Sequence, residues 1–216
     1  MSETKTNLTL LICGVVALIV GLGVFNYDTL KKDINVQEQL QHATYLYDQQ
    51  VAIPKFDFID QDGQAFTHSQ IQDQWTLWFF GFTHCPDICP TTLATLTNSL
   101  NQIKEHQSID DLKIVFISVD PQRDDSEQIK RYISGFHENI IGASSYGNEL
   151  ALFLKNMGII ATINKDENHP DSYQVDHSSA LYLIAPNTAI SAVFNTPHDV
   201  SKIAHDVITI RKHFQQ

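Results

Sequence analysis

Apolar and polar positions divide the chain into an uninterrupted hydrophobic opening and a long patterned remainder. From Leu8 to Phe25, LTLLICGVVALIVGLGVF, none of the eighteen residues is charged. In a helix they reach about 27 Å, close to the ~30 Å hydrocarbon core of a bilayer. This stretch predicts a membrane-spanning helix, and nothing later in the chain matches its length. Residues 26–50 are polar with scattered Leu and Tyr and read as a juxtamembrane linker. Beyond them, FDFIDQDGQAFT alternates around Asp62-Gly63, the signature of a β-hairpin. Thr76–Phe82, TLWFFGF, is continuously apolar, as a strand covered on both faces must be. Leu93, Leu96, Leu100 and Ile103 then recur at helical spacing.

A second buried strand is predicted at Leu112–Asp120, LKIVFISVD. An amphipathic segment follows at Ser126–Phe136, with Ile129, Ile133 and Phe136 on its apolar face. NELALFLKNMG ends a further helix at Gly158, a natural position just past a helix C-terminus. SALYLIA and AISAVF form two strands joined at Pro186-Asn187 as an antiparallel hairpin. A last helix carries Val200, Ile203, Val207 and Ile210. Strand–helix–strand–helix, then a hairpin and a closing helix, is the order of an α/β thioredoxin-like fold, here with an N-terminal β-hairpin extension and a single transmembrane helix ahead of it. The initial βαβ unit must be parallel and right-handed. The domain reading is therefore 1–7 N-terminal tail, 8–25 transmembrane anchor, 26–50 linker and 51–216 globular domain.

Charge and leader chemistry refine this picture. The net charge of −11 argues against a nucleic-acid partner; most of these carboxylates read as solvated surface. The GVFNYD exit of the apolar stretch shows no A-x-A pair for signal cleavage. Leu11 and Ile12 precede Cys13 where a lipoprotein signal would place small residues, so Cys13 reads as an apolar filler. Acidic residues near the start also disfavour a mitochondrial transit peptide. Lys5 and the terminal amine before the span balance Lys31 and Lys32 after it, so charge leaves orientation nearly tied.

Chemistry concentrates at FFGFTHCPDICP, residues 79–90, where Cys85 and Cys89 stand four apart as the first core strand gives way to its helix. Open α/β sheets place ligand sites there. Pro90 is tolerated in a first helical turn, so both sulfurs fall at or just before the helix start, where the dipole and unpaired N–H groups lower thiol pKa values. Roughly 165 residues bury on the order of 70% of their unfolded surface, a core that needs no disulfide or metal to stand. Three uses of the pair stay open on spacing: a structural disulfide, electron exchange, or a metal. Two thiolates favour a soft ion such as Cu(I), whereas structural zinc wants four protein ligands.

Of ten histidines, His106, His137, His198, His205 and His213 read as exposed polar positions. His84 adjoins Cys85, but a neighbour in an extended segment points away from it. His177, in YQVDHSSALYLIAP at the start of a predicted central strand, is the candidate third ligand, against the plain reading of a structural histidine. Asp176 reads as solvated, as a backbone cap, or as orienting His177. Arg123 reads as pairing with Asp120 or Asp124 to fix a turn, and Trp78, Phe79 and Phe80 as core.

GFTHCPDICPTTL (81–93), SVDPQRD (118–124) and YQVDHSSALYLIAP (173–186) together resemble the Sco/SenC family, over about residues 50–216 and including the single N-terminal anchor. Its members are membrane-anchored copper proteins of thioredoxin-like fold. The resemblance implies copper held by Cys85, Cys89 and His177, as Cu(I) with Cu(II) also accessible. It further implies assistance in assembling the dinuclear copper site of cytochrome c oxidase subunit II, or of another copper-accepting protein. The alternative it carries is a thiol-disulfide oxidoreductase in which Cys85 and Cys89 reduce the acceptor's cysteines, served by a periplasmic thioredoxin-like reductant. It also implies that INKDENHPDSY (163–173) is a mobile loop near the metal. This chemistry places the C-terminal domain in the periplasm, on a single-pass bacterial inner-membrane anchor. Thioredoxin-type enzymes carry a cis-proline where this chain has Val175-Asp176-His177, and peroxiredoxins need Thr or Ser where this chain has Phe82.

Overall fold

The structure, a computed structural model, describes residues 13–23, 36–46, 51–166 and 169–214. It forms two compact units, 1–39 and 40–216. In the first, residues 13–23 are helical with exposed side chains, Leu18 and Ile19 among them. Among the described residues no helix is long and apolar enough to cross a membrane; the expected span 8–25 lies partly outside them, as does most of the linker 26–50.

The second unit is built on one eight-stranded sheet, ordered β1-β10-β9-β4-β5-β6-β2-β3. Its centre is parallel: β4 (Trp75–Gly81), β5 (Leu112–Ser118) and β6 (Ile140–Ser144) run together. Helix α1 (Ile88–Lys104) connects β4 to β5, and α2 (Ser126–Ile133) connects β5 to β6. β9 (Leu181–Ile184) lies antiparallel to β4, and β10 (Ile190–Phe194) pairs with β9 as the expected hairpin. The early hairpin, β2 (Asp57–Asp60) and β3 (Ala65–Thr67), extends the opposite edge through β6. Helix α3 (Asn148–Asn156) ends near Gly158, whose φ of +69° suits the residue past a helix end. Helix α4 (Val200–Phe214) packs against α1. The thioredoxin-like α/β reading thus describes the molecule.

Every residue of β4 is buried, and its two faces have different work, because side chains alternate along a strand. Trp78 and Phe80 face an aromatic cluster with Phe56, Phe66 and, from α3, Phe153. Phe79 and Gly81 face the other way, toward Phe116 and Cys89. Gly142 in β6 lets α2 approach: a Cβ there would stand 2.3 Å from Ile129 Cγ2. That close approach demands glycine in the middle of IIGAS, a segment otherwise unremarkable as a sequence.

Three local features differ from the sequence reading. The compact unit begins at Leu40 rather than 51. Its first strand, β1 (Thr44–Tyr45), pairs with β10, and the buried Asp206 of α4 accepts the backbone N–H groups of Gln41, His42 and Ala43 at 2.8, 2.8 and 2.7 Å. The segment read as a loop forms a separate two-stranded ribbon, β7 (Ala161–Asp166) with β8 (His169–His177). His177 therefore ends β8 instead of opening the central strand, and three residues separate it from β9. A paired ribbon with one face to solvent carries polar side chains as readily as a loop does, so composition does not distinguish them.

Candidate metal centre

β4 delivers the chain to the site. After Gly81, residues 82–87 turn over the carboxyl end of the sheet, and α1 begins at Ile88 with Asp87 as its N-cap. Cys85 lies in the turn, half-buried; Cys89, in the first helical turn, is fully buried. All three cysteines are free thiols. The Cys89 N–H, which has no helical acceptor this early in α1, donates to Cys85 Sγ at 3.4 Å. Cys89 Sγ rests on Gly81, where a Cβ would stand only 3.0 Å from it. Burial pushes the Cys89 thiol well above its usual range, an effect reinforced by Cys85 and by the charge of Asp124. This corrects the expectation of a lowered pKa from the helix start alone: desolvation of a fully buried sulfur outweighs it.

The turn is fastened from below by Asp124. Its buried carboxylate accepts Thr83 N–H at 2.8 Å, Thr83 Oγ1 at 2.7 Å and Ser118 Oγ at 2.6 Å. Three donors satisfy a charge that burial would otherwise penalise heavily. His84 turns toward this carboxylate, with Nδ1 at 3.5 Å, and Arg123 pairs with Asp120 at 2.6 Å, as the turn reading anticipated.

The ribbon brings His177 to the thiols: Nε2 stands 3.5 Å from Cys89 Sγ. Its Nδ1 lies 3.0 Å from the Ser178 carbonyl. A carbonyl can only accept, so Nδ1 carries the proton and the lone pair of Nε2 faces the sulfur. The ring is wedged edge-on between Phe79 and Phe82. Burial lowers its pKa below 6.5, partly offset by the Ser178 bond and Asp176, and keeps it neutral. Cys85, Asp87, Ile88, Asp176 and His177 border an open cleft of about 350 Å³. A larger apolar cavity of about 520 Å³ behind Val175 presents no sulfur or imidazole donor.

Among the described residues no three His, Cys, Asp or Glu side chains converge closely enough to enclose a metal ion as they stand. The structure does bring together Cys85, Cys89 and His177, although Cys89 and His177 stand 88 positions apart in the chain. Taking about 2.3 Å to sulfur, about 2.0 Å to imidazole nitrogen and tetrahedral to trigonal angles, an ion shared by two such donors separates them by about 3.5–3.7 Å. Cys89 and His177 already stand at that spacing. Of the other histidines, His106 and His205 are exposed as expected, whereas His198 is half-buried with Nε2 on the Ser179 carbonyl at 2.8 Å. The roles of Asp124 and Tyr173 were not read from the sequence, although SVDPQRD and YQVDH, which hold them, were singled out.

With this geometry in view, comparison with known proteins is decisive for kinship. The profile described as SCO1/SenC matches residues 44–212. The chain belongs to the SCO1/SenC family. It is 33% identical over 189 residues to the protein SCO1 homolog 1, mitochondrial, of Arabidopsis thaliana, covering 86% of this chain and 56% of that one. The chain thus spans little more than half the length of that relative. The crystal structure of Arabidopsis thaliana ScoI with copper bound superposes with a TM-score of 0.70 at 33% identity, covering 75% of this chain and 99% of that one. A structure of BsSco, described as a member of the Sco family of cytochrome c oxidase assembly proteins with a disulfide switch, gives a TM-score of 0.60 at 26% identity, covering 77% and 97%.

Proposed function

We propose that this SCO1/SenC protein is a membrane-anchored copper metallochaperone that assists assembly of the dinuclear copper site of cytochrome c oxidase subunit II or another copper acceptor. Cys85 and Cys89 hold Cu(I) as thiolates and neutral His177 supplies the third donor. The observation that carries this reading is the Cys89–His177 pair: a buried sulfur and a bared imidazole lone pair at the spacing a shared ion requires. Loading displaces the thiol protons. A three-donor site at the border of an open cleft leaves a side from which an acceptor's own ligands take the ion. The apolar stretch Leu8–Phe25 supports anchoring, and the chemistry of free thiols poised for copper suits a periplasmic domain on a bacterial inner membrane.

A second reading rests on the unequal exposure of the two thiols. Cys85, half-buried, is the accessible attacker, and Cys89 the sheltered resolving thiol. Cys85 thiolate attacks an acceptor disulfide and forms a mixed disulfide, releasing one acceptor thiol. Cys89 then displaces the second, leaving a Cys85–Cys89 disulfide; two electrons and two protons pass to the acceptor. The test incubates reduced, Cu(I)-loaded protein with a reduced acceptor domain and, separately, metal-free protein with an oxidised one. Copper transfer that fails in His177→Ala supports the chaperone. Absence of transfer, together with acceptor reduction indifferent to His177→Ala, would assign the protein to thiol exchange.

A further inference from the structure

The third donor rides on an element that the main sheet does not hold. β7 and β8 pair only with each other. At the ribbon's base, Ser178 N–H donates to the Ile160 carbonyl at 3.0 Å and Ile160 N–H reaches Ser178 Oγ at 3.3 Å. A two-stranded ribbon is marginal by itself, so whatever else fixes β8 sets where His177 points.

That second fixture lies four residues before His177. Tyr173 and His177 share a face of β8, because side chains two and four apart along a strand point the same way. The Tyr173 hydroxyl donates to Asp120 Oδ1 at 2.6 Å, and Arg123 Nε donates to Asp120 Oδ2 at 2.6 Å. Arg123 Nη1 reaches back to the Tyr173 carbonyl at 3.2 Å. The guanidinium lies over the Tyr173 ring, Cζ 3.6 Å from its centroid, and over the Phe82 ring at 5.7 Å. Phe82 in turn meets the His177 ring edge-on at 5.9 Å. Asp120 is fully buried at the end of β5, so the clamp is rooted in the parallel core.

We infer that Arg123 is a positioning residue for copper binding: lying over Tyr173, close to Phe82 and paired with Asp120, it locks the ribbon so that His177 Nε2 meets Cys89. This rests on the reading of His177 as a donor. Arg123 does not touch the ion. Its planar, permanently charged fork does three things at once here, ion pair, carbonyl bond and ring stacking, which a lysine ammonium cannot combine. The two thiols sit at the β4–α1 junction, whose turn Asp124 fastens separately, so the inference separates the imidazole's contribution from that of the sulfurs.

The experiment uses the full-length protein in detergent, with Arg123→Met, Arg123→Lys, Tyr173→Phe and His177→Ala. Cu(II) electron paramagnetic resonance and competition titrations of Cu(II) and Cu(I) are read alongside thermal unfolding and amide exchange of the metal-free protein. In Arg123→Met the Cu(II) spectrum moves toward that of His177→Ala, and Cu(II) affinity falls roughly tenfold, the lower end for losing a residue that orients a ligand. Cu(I) affinity, carried by the sulfurs, changes far less. Exchange quickens along β8 and not along β4. Arg123→Lys and Tyr173→Phe shift the spectrum in the same direction by less, and decide the matter if Arg123→Met does not fold. A wild-type spectrum in the folded variants, with only the melting temperature lowered, overturns the inference and leaves Arg123 a purely structural residue. A wild-type spectrum in His177→Ala itself overturns the donor reading, and the inference with it.

Discussion

The two halves of the candidate centre come from regions of unlike character. Cys89 sits where β4 runs into α1, against Gly81 and among fully buried side chains. His177 ends an antiparallel ribbon that is outside the main sheet. The sulfur is positioned by close packing, which admits few alternatives; the imidazole is positioned by a carbonyl bond, two aromatic edges and a clamp through Tyr173. An ion bridging them ties a closely packed platform to a ribbon that the main sheet does not hold.

Removing a donor from each side gives the largest contrast. Cys89→Ser removes a thiolate and is expected to weaken Cu(I) by orders of magnitude, because a hard hydroxyl is a poor partner for a soft ion. His177→Ala lowers Cu(I) affinity much less while abolishing the wild-type Cu(II) spectrum. Competition titration against a Cu(I) chelator measures both; equal losses in the two variants would erase the distinction.

A smaller effect probes the platform. Gly81→Ala places a methyl group about 3.0 Å from Cys89 Sγ, Phe79 Cε1 and Phe116 Cε2. Such overpacking costs about 1–3 kcal/mol and displaces the sulfur. A chemical denaturation curve gives the cost, and copper affinity falls with it. A variant as stable as the wild type and with unchanged affinity would show that the platform yields, contrary to the packing account.

The gentlest probe is pH. Burial raises the Cys89 thiol, so copper must displace its proton, and this displacement raises apparent copper affinity by up to about tenfold per pH unit. His177 is depressed below 6.5 by burial. Its contribution to the stability of the metal-free fold is therefore present above about 6.5 and lost as the pH falls. Titrations at pH 6, 7 and 8 check the first statement, and melting temperatures of the wild type against His177→Ala between about pH 5 and 7 check the second.

How legible each region was in the sequence follows the same division. TLWFFGF and LKIVFISVD announce buried parallel strands because burial on both faces leaves mostly apolar residues, and α1 shows its helical spacing openly. The cysteines could be placed at the strand–helix junction from these patterns. β6 was hidden because its centre is Gly142, whose role depends on Ile129 from another element. The ribbon was hidden because INKDENHPDSY is polar, and pairing through backbone groups leaves little trace in side-chain type. Thus His177 was found as a residue but placed on the wrong strand, and the clamp through Tyr173 was not seen. β1 escaped for a similar reason: Asp206, more than 160 residues away, holds the backbone there.

X-ray absorption at the copper K-edge of the Cu(I)-loaded, full-length protein and its His177→Ala variant tests the central claim most directly. The account predicts two sulfur donors and one nitrogen in the wild type, with the nitrogen lost and both sulfurs retained in the variant. Identical spectra from the two, or a wild-type site without nitrogen, would contradict it.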